Sequence, residues 1–334
     1  MAVKFAQTGL YQVYLIVYFD LIDDKYKYIF DCKNLTVVVL NKRKTIDFKF
    51  MRKLKSLMKD LNPDIISSHL TCIAYLKFIV NFKEKRVFHT IHNLPKKDLP
   101  FIYRLLIRKD VKKGRIKLIG ISNEITRLAA SVYHINVDKI IPIYNGVSLK
   151  KVTYTNKYYD FLCVGRFVYW KHFPNLIKAF SMLNPTENNY RLCICGYGPD
   201  KINILNTINE LNLSSCIDVF DEKTNTEELY KKSKFFCLFS SVEGNPIVIL
   251  EAMSYGLPVV STYTGGIPDV VQNGETGFLF NYEDVVTGSQ LMRRLIESNN
   301  LLNTLKANSL KRINQFSIET TFESYKKVFD TNIL

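Results

Sequence analysis

Several features are scarce in this 334-residue sequence, and each scarcity removes a class of protein. No apolar run reaches the roughly 20 residues needed to cross a bilayer, so no transmembrane helix is expected. The apolar opening, residues 1–20, carries Tyr and Gln and lacks a small-residue cleavage site. It therefore reads as core and not as a signal peptide. The seven cysteines are Cys32, Cys72, Cys163, Cys193, Cys195, Cys216 and Cys237. They are odd in number and mostly sit inside apolar, strand-like runs. That excludes a disulfide framework and points to a reducing, cytoplasmic setting. No His or Cys cluster has the spacing of a zinc site. Internal repeats and low-complexity segments are also missing.

Positive charge is abundant, but only in one half. The formal net charge is +15. Residues 1–150 hold 28 Lys+Arg against 12 Asp+Glu, and residues 151–334 hold 18 against 19. The halves thus carry +16 and −1, an asymmetry that speaks about partners. Such charge suits nucleic acid, and equally an anionic membrane surface or an anionic acceptor on the side of the first half; the latter two are the partners expected, and no nucleic acid. The bland alternative is a lysine-rich surface that only keeps the protein in solution. The stretch 96–117 interleaves Phe101, Ile102, Leu105 and Leu106 with lysines and arginines. It is the best candidate for a membrane-surface segment, unless those apolar residues pack into the core.

Strand-like and helix-like segments alternate along the chain, which predicts an α/β fold with parallel sheets. Residues 9–22 read as an apolar helix and 26–40 as one or two strands. A basic amphipathic helix follows over 48–60 and stops at Asn62-Pro63. His69 ends a short strand, residues 70–82 read as a helix, and His92 follows the strand 87–91. His89, in the middle of that strand, reads as core. A composition change at 148–158 marks a linker, and a second strand–helix series begins after it.

The stretch 235–280 organises the chain. A buried apolar run (235–239) reads as a strand leading to Glu243. Asn245 fits an N-cap and Pro246 the first position of a helix that carries Glu251, eight residues after Glu243. A helix N-terminus beyond a strand end offers N–H groups and a positive dipole end to a phosphate. Ionised carboxylates beside it can each accept bonds from hydroxyl donors. Gly165–Arg166 and Lys171 follow another strand, and Gly196-Tyr197-Gly198-Pro199 a third. Taken singly, each of these is as well explained by a surface loop with a few charges.

Together, Glu243-x7-Glu251 with Gly244-Asn245-Pro246, the later GGIPDVV and NGETGFLF, Gly165–Arg166 with Lys171, and the Gly196–Pro199 turn resemble the family 4 retaining nucleotide-sugar glycosyltransferases. The resemblance covers residues 60–334 well and 1–60 poorly. It implies a GT-B architecture, two Rossmann-like domains facing each other across a cleft. The expected domains are 1–150 on the acceptor side and 151–317 for the donor, with the last helix, 318–334, packed back on the first.

The resemblance also implies residue roles. Glu251 would hold the ribose hydroxyls and Glu243 the hydroxyls of the transferred sugar. Arg166 and Lys171 would neutralise the diphosphate leaving group. Gly165, Gly198 and Gly244 would line the donor site, and backbone at Asn245 and Ile247 would face phosphate or sugar beside Pro246. Backbone near Phe220 would meet the base, and His92 would lie by the sugar, with His69 the weaker candidate for that place. The implied reaction is transfer of a hexose-type sugar, with retention, from a nucleoside diphosphate sugar to an acceptor hydroxyl. The donor would carry UDP rather than GDP, and neither metal nor cofactor is expected. The acceptor would be a sugar or lipid-linked saccharide of envelope polysaccharide or glycolipid synthesis, met at the inner face of the cell membrane.

Two departures from the family pattern stand out. The family opens with a strand and a Gly-rich loop, whereas here Gly9 is the sole glycine ahead of the first predicted helix. The family also has a Gly after the Phe220 strand, where this chain has Asp221-Glu222. The first departure keeps a non-catalytic nucleotide-sugar binding protein in view. A sugar-nucleotide epimerase or phosphorylase on the same fold is the rival enzyme.

Overall fold

The computed structural model describes residues 1–19, 28–43, 47–150, 156–221 and 223–331. They gather into two compact units. The first comprises Met1–Ile121, Thr126–Ile143 and Thr321–Leu334, and the second Ser122–Ile125 and Tyr144–Thr320. The division after Ile143 falls ahead of the expected boundary at 150. The reason is local: the Val147 N–H donates to Phe316 O at 3.0 Å and the Ile318 N–H to Val147 O at 2.9 Å. Residues 20–22 of the expected first helix, 26–27 of the expected strand, 151–155 of the expected linker, Glu222, and 332–334 of the expected last helix lie outside the described residues.

The first unit opens with a short helix α1 (Ala2–Gln7), then the parallel strands β1 (Val13–Val17) and β2 (Leu35–Val39). The expectation of a helix over 9–22 is corrected here. The run Val-Tyr-Leu-Ile-Val is β-branched and aromatic, which suits a pleated surface, and it pairs residue for residue with β2. Helix α2 (Phe48–Leu61) forms where expected. Asp47 caps it by accepting from the Phe50 N–H at 2.9 Å, and Phe50, Leu54 and Met58 bury one face. Asn62 ends it in the left-handed conformation.

The main sheet of this unit has the order β3-β4-β5-β6, all parallel. Its elements are β3 (Ile65–His69), α3 (Cys72–Leu76), β4 (Arg86–Ile91), α4 (Pro95–Asp98), α5 (Phe101–Lys112), β5 (Ile116–Gly120), α6 (Asn123–Tyr133) and β6 (Ile140–Pro142). α3 is shorter than the helix expected over 70–82: Leu70, at φ 51, precedes a start at Cys72, and after Leu76 the chain passes into turns in which the Phe78 N–H donates to Tyr75 O and the Ile79 N–H to Leu76 O. The core under β4 and β5 joins Phe5 of α1 to Phe88, Ile119 and Ile143. Tyr325 and Phe329, from the helix Ile318–Asp330, complete it. Burying each such side chain contributes about 1.5–3 kcal/mol. α5 is different. It buries Ile107 and Val111, while Phe101, Ile102 and Leu105 stay 69%, 67% and 56% exposed.

The second unit is a single doubly wound sheet. Its elements run β7 (Tyr159–Val164), α7 (Phe173–Ser181), α8 (Pro185–Asn188), β8 (Leu192–Cys195), α9 (Lys201–Glu210), β9 (Ile217–Phe220), α10 (Thr226–Lys231), β10 (Ser233–Leu238), α11 (Ile247–Ser254), β11 (Val259–Thr262), α12 (Ile267–Val270), β12 (Gly277–Phe280), α13 (Val285–Ile296) and α14 (Asn299–Arg312); α15 (Ile318–Asp330) starts in it and from Thr321 belongs to the first unit. The strands are parallel in the order β12-β11-β10-β7-β8-β9. β7 and β10 are buried along nearly their whole length, as central strands covered on both faces must be. Strand order reverses between these two strands. In an open α/β sheet that reversal is where a crevice opens at the carboxyl ends.

Candidate active site

The crevice of the second unit is built from the loops that leave β7 and β10. β7 ends at Val164, and Gly165 follows, its N–H donating to Cys195 O at 3.0 Å. The next turn interlocks with the Gly196–Pro199 turn after β8. The Phe167 N–H donates to Tyr197 O at 2.6 Å and the Asp200 N–H to Phe167 O at 3.0 Å. Gly198 belongs there because a Cβ on it would stand 2.3 Å from Phe167 O. Its glycine is thus required by packing of one loop on another, before any ligand is considered. Arg166 is exposed at the rim. Lys171 closes a single 3-10 turn, Tyr169–Lys171.

Lys171 and Glu243 form an ion pair across the crevice, with only 13% and 10% of their side chains exposed. The loop from β10 to Glu243 is fixed by neighbours on both sides. The Ser241 N–H donates to Trp170 O at 2.9 Å, and Thr264 Oγ1 donates to Ser241 O at 3.0 Å. The Gly266 N–H donates to Gly244 O at 2.8 Å. Gly265 sits at φ +58, and a Cβ there would come within 1.9 Å of Glu243 O. The double glycine of the GGIPDVV string therefore acts as a bed for the Glu243 backbone.

The start of α11 corrects one sequence-based expectation. Pro246, not Asn245, occupies the cap position, its backbone extended at φ −74 and ψ 111, and the helix begins at Ile247. Asn245 is 5% exposed and does not cap the helix. Its carbonyl accepts from Asn145 Nδ2 at 3.0 Å, while its own amide oxygen and nitrogen have no partner. A buried amide in that state costs free energy unless something bonds it. One turn on, Glu251 Oε2 accepts from the Tyr230 hydroxyl at 3.0 Å. Burial raises the Glu251 pKa, and the Tyr230 bond opposes that rise. Tyr230 in turn stacks on Tyr255, the ring centroids 5.4 Å apart. At the far side of the sheet, Phe220 O accepts from the Gly196 N–H at 3.0 Å. Phe220 also helps line a cavity of about 520 Å³ with Thr224, Asn225 and Leu229.

His92 belongs to the first unit, just beyond β4. Its Nε2 lies 2.8 Å from His69 Nδ1, and its backbone N–H donates to Asp98 Oδ1 at 2.9 Å. His89 is fully buried, with Nε2 3.4 Å from Asp98 Oδ2. Loss of water lowers the His92 pKa; Asp98 opposes the shift and His89 adds to it. Among the described residues, no three His, Cys, Asp or Glu side chains are grouped to hold a metal ion. No helix among them is long and apolar enough to cross a membrane.

Residues 148–312 match the family model "Glycosyl transferases group 1", and residues 5–151 match "Glycosyltransferase Family 4". This chain belongs to the group 1, family 4 glycosyltransferases. Among its relatives is the N-acetyl-alpha-D-glucosaminyl L-malate synthase of Bacillus anthracis. That protein is 28% identical over 160 residues, which are 48% of this chain and 42% of the relative. Another is the alpha-1,4-N-acetyl-D-galactosaminyltransferase of Campylobacter jejuni whose name specifies a diNAcBac-PP-undecaprenol-linked substrate. It is 25% identical over 169 residues, 50% of this chain and 46% of the relative. The matched stretch thus spans about half the length of these curated relatives. Among solved structures, Anabaena HepE in complex with UDP superposes at a TM-score of 0.80 with 15% identity. The match covers 96% of this chain and 99% of that one, and the shared fold is the two-domain GT-B fold.

The structure brings Lys171 from the Gly165–Arg166 motif onto Glu243 of the 235–280 string, beside Gly244 and Asn245, with Glu251 one turn inside α11. Three supports were invisible in the sequence. Tyr230, Asn145 and His69 hold Glu251, Asn245 and His92 respectively. Tyr230 and Asn145 lie in stretches without a motif, and only the strand-end position of His69 hinted at a role.

Proposed function

We propose that this glycosyltransferase moves a hexose-type sugar, with retention at the anomeric carbon, from a nucleoside diphosphate sugar to an acceptor hydroxyl. The observation that carries the reading is the cluster at the sheet reversal of the second unit: Lys171 paired with Glu243, Asn245 buried with its amide unbonded, and Glu251 one turn inside α11. In this reading Glu251 accepts bonds from the ribose hydroxyls and Glu243 from hydroxyls of the sugar. Arg166 and Lys171 meet the diphosphate with the backbone N–H groups of Asn245 and Ile247, beside Pro246, Gly165, Gly198 and Gly244. Backbone at Phe220 meets the base, and His92 meets the transferred sugar. The anomeric C–O bond to the diphosphate breaks, the acceptor oxygen bonds to the same face of that carbon, and the departing diphosphate oxygen takes the acceptor proton. Fixed cations stabilise the leaving group, so no metal is needed.

The UDP bound in the HepE structure favours UDP over GDP as the donor nucleotide. The undecaprenol-linked substrate in the C. jejuni relative's name favours a sugar or lipid-linked saccharide as acceptor, in envelope polysaccharide or glycolipid synthesis. Family matches over both halves of the chain do not favour a non-catalytic binding protein. Calorimetric titration with a panel of UDP- and GDP-sugars, followed by transfer assays with and without EDTA, tests the reading. Micromolar binding of a UDP-sugar and EDTA-insensitive turnover are expected. Absence of binding by every nucleotide sugar would overturn it.

A further inference from the structure

The carboxyl ends of two neighbouring strands bring two imidazoles into contact. β3 and β4 run parallel with His69 opposite Thr90, so His69 and His92 emerge side by side at one end of the first unit's sheet. His69 Nδ1 is 2.8 Å from His92 Nε2, and the ring centroids are 5.0 Å apart with 35° between the planes. The other nitrogen of His69, Nε2, is 3.4 Å from Ser67 Oγ. The His92 backbone is fixed separately by Asp98, whose second carboxylate oxygen faces the buried His89. The titratable groups around His69 are therefore His92, His89, Asp98 and the Met1 amino group.

Two ring nitrogens at 2.8 Å need one hydrogen between them. A neutral imidazole carries a donor on one nitrogen and an acceptor on the other, so one ring donates and the other accepts. The direction follows from the chain of contacts. Neutral imidazole side chains favour the proton on Nε2. With both rings in that form, His92 Nε2–H donates to His69 Nδ1, and His69 Nε2–H points to the Ser67 hydroxyl. Neither ring has to adopt its less stable tautomer.

We propose that His69 is a positioning residue: by accepting the His92 Nε2 hydrogen it fixes the His92 ring and leaves Nδ1 of His92 as the acceptor for a hydroxyl of the transferred sugar. The role in turnover rests on the reading of His92 given above, but the hydrogen bond itself does not. A hydroxyl that donates to Nδ1 is distinguished from a group that lacks a hydrogen to give, so the arrangement selects for a hydroxyl at that place on the sugar. Crowding by protein atoms lowers the pKa of both histidines, although His69 keeps an exposed surface, and the pair is neutral at pH 7 with the acceptor available.

Two-dimensional ¹⁵N NMR of histidine-labelled protein tests the bond without substrate. A through-bond ¹⁵N–¹⁵N coupling between His92 Nε2 and His69 Nδ1 is expected, with His92 protonated on Nε2. Addition of UDP-sugar should shift His92 Nδ1 in the wild type and in His69→Asn, whose side-chain oxygen can accept the same hydrogen. It should leave that nitrogen unchanged in His69→Leu. The donor KM of His69→Leu should rise roughly fivefold, the effect of about one hydrogen bond, and His69→Asn should recover most of it. Absence of the coupling, or His92 ring signals identical in wild type and His69→Leu, would overturn the proposal. An intact coupling in a protein that binds no nucleotide sugar would instead condemn the transferase reading.

Discussion

Glu243 and Glu251 are eight residues apart and face different electrostatic conditions. Glu243 is already paired with Lys171, so under the proposed function a bound diphosphate competes with Glu243 for Lys171. Glu243→Gln is therefore expected to bind free UDP as tightly as the wild type or tighter, while losing sugar transfer. Calorimetry beside a transfer assay checks this, and weaker UDP binding in the variant would show that the pair is needed intact. Glu251 accepts from Tyr230, in a site where burial disfavours its charge and Tyr230 and Lys150 oppose that effect. Bonds to a charged acceptor are worth roughly 1.5–3 kcal/mol each, so Glu251→Gln should weaken UDP by about tenfold or more, and Tyr230→Phe by less. Arg166→Ala and Lys171→Ala should each lower kcat about 100-fold, as loss of one fixed charge-stabilising group does. Wild-type rates in either would remove it from leaving-group stabilisation.

The histidine pair gives a pH signature at the same scale. The His69 pKa is lowered from 6.5 to about 4, first by loss of water and then by His92. The His92 pKa is lowered as well. Between these values the unfolded chain binds more protons than the folded one, so stability rises with pH through that window. The contribution is complete above pH 6.5 and is lost as pH falls toward about 4. Thermal unfolding midpoints taken from pH 7 to pH 4 should fall less steeply in His69→Leu than in the wild type.

Among the elements, those that read correctly from the sequence had breakers or caps at their ends. α2 has Asp47 before it and Asn62-Pro63 after it, and its apolar face repeats every four residues. β1 had neither. An apolar run such as residues 9–22 suits a buried helix or a buried strand equally well, and what decides is a partner 22 residues away in sequence, β2. α3 was overestimated because neither the positive φ at Leu70 nor the passage into turns after Leu76 has a sequence signature. The site was more legible than the first unit for a physical reason. Its residues must match a ligand and one another, so they fall in short strings, whereas Tyr230 and Asn145 act through space. The Gly265 bed under Glu243 permits a prediction at this scale. Gly265→Ala puts a methyl group against Glu243 O in a strained backbone. It should destabilise the second unit by about 1–3 kcal/mol and cut activity further than that loss alone explains. A variant with unchanged melting and turnover would mean the loop yields freely.

The whole molecule carries its positive charge on residues 1–150, while the donor cluster lies in the nearly neutral remainder. The exposure of Phe101, Ile102 and Leu105 on α5 means that the first unit's core does not use them. Each basic residue near an anionic leaflet contributes about 1 kcal/mol, and burying exposed apolar side chains in the interface adds to it. Peripheral, salt-sensitive attachment is the expected behaviour. Co-sedimentation with vesicles should show binding to anionic lipid at low salt, less at high salt and little to neutral lipid. Replacing Phe101, Ile102 and Leu105 with Ser should reduce it. Equal and negligible binding to both lipids would leave the lysines as solvated surface.

The helix Ile318–Asp330 bears on how the chain is made. Tyr325 and Phe329 complete a core whose other members, Phe5, Phe88, Ile119 and Ile143, are translated much earlier. About 180 residues separate Ile143 from Thr321, where the first unit resumes. At roughly 5–20 residues per second, the ribosome needs on the order of 10–35 s to cover that distance. Through that interval the first half waits with an open apolar face, while the second half acquires every strand of its own sheet. The half that emerges first is thus the last to be sealed, and a released chain ending near residue 320 would hold every strand of the second unit while the first lacked Tyr325 and Phe329.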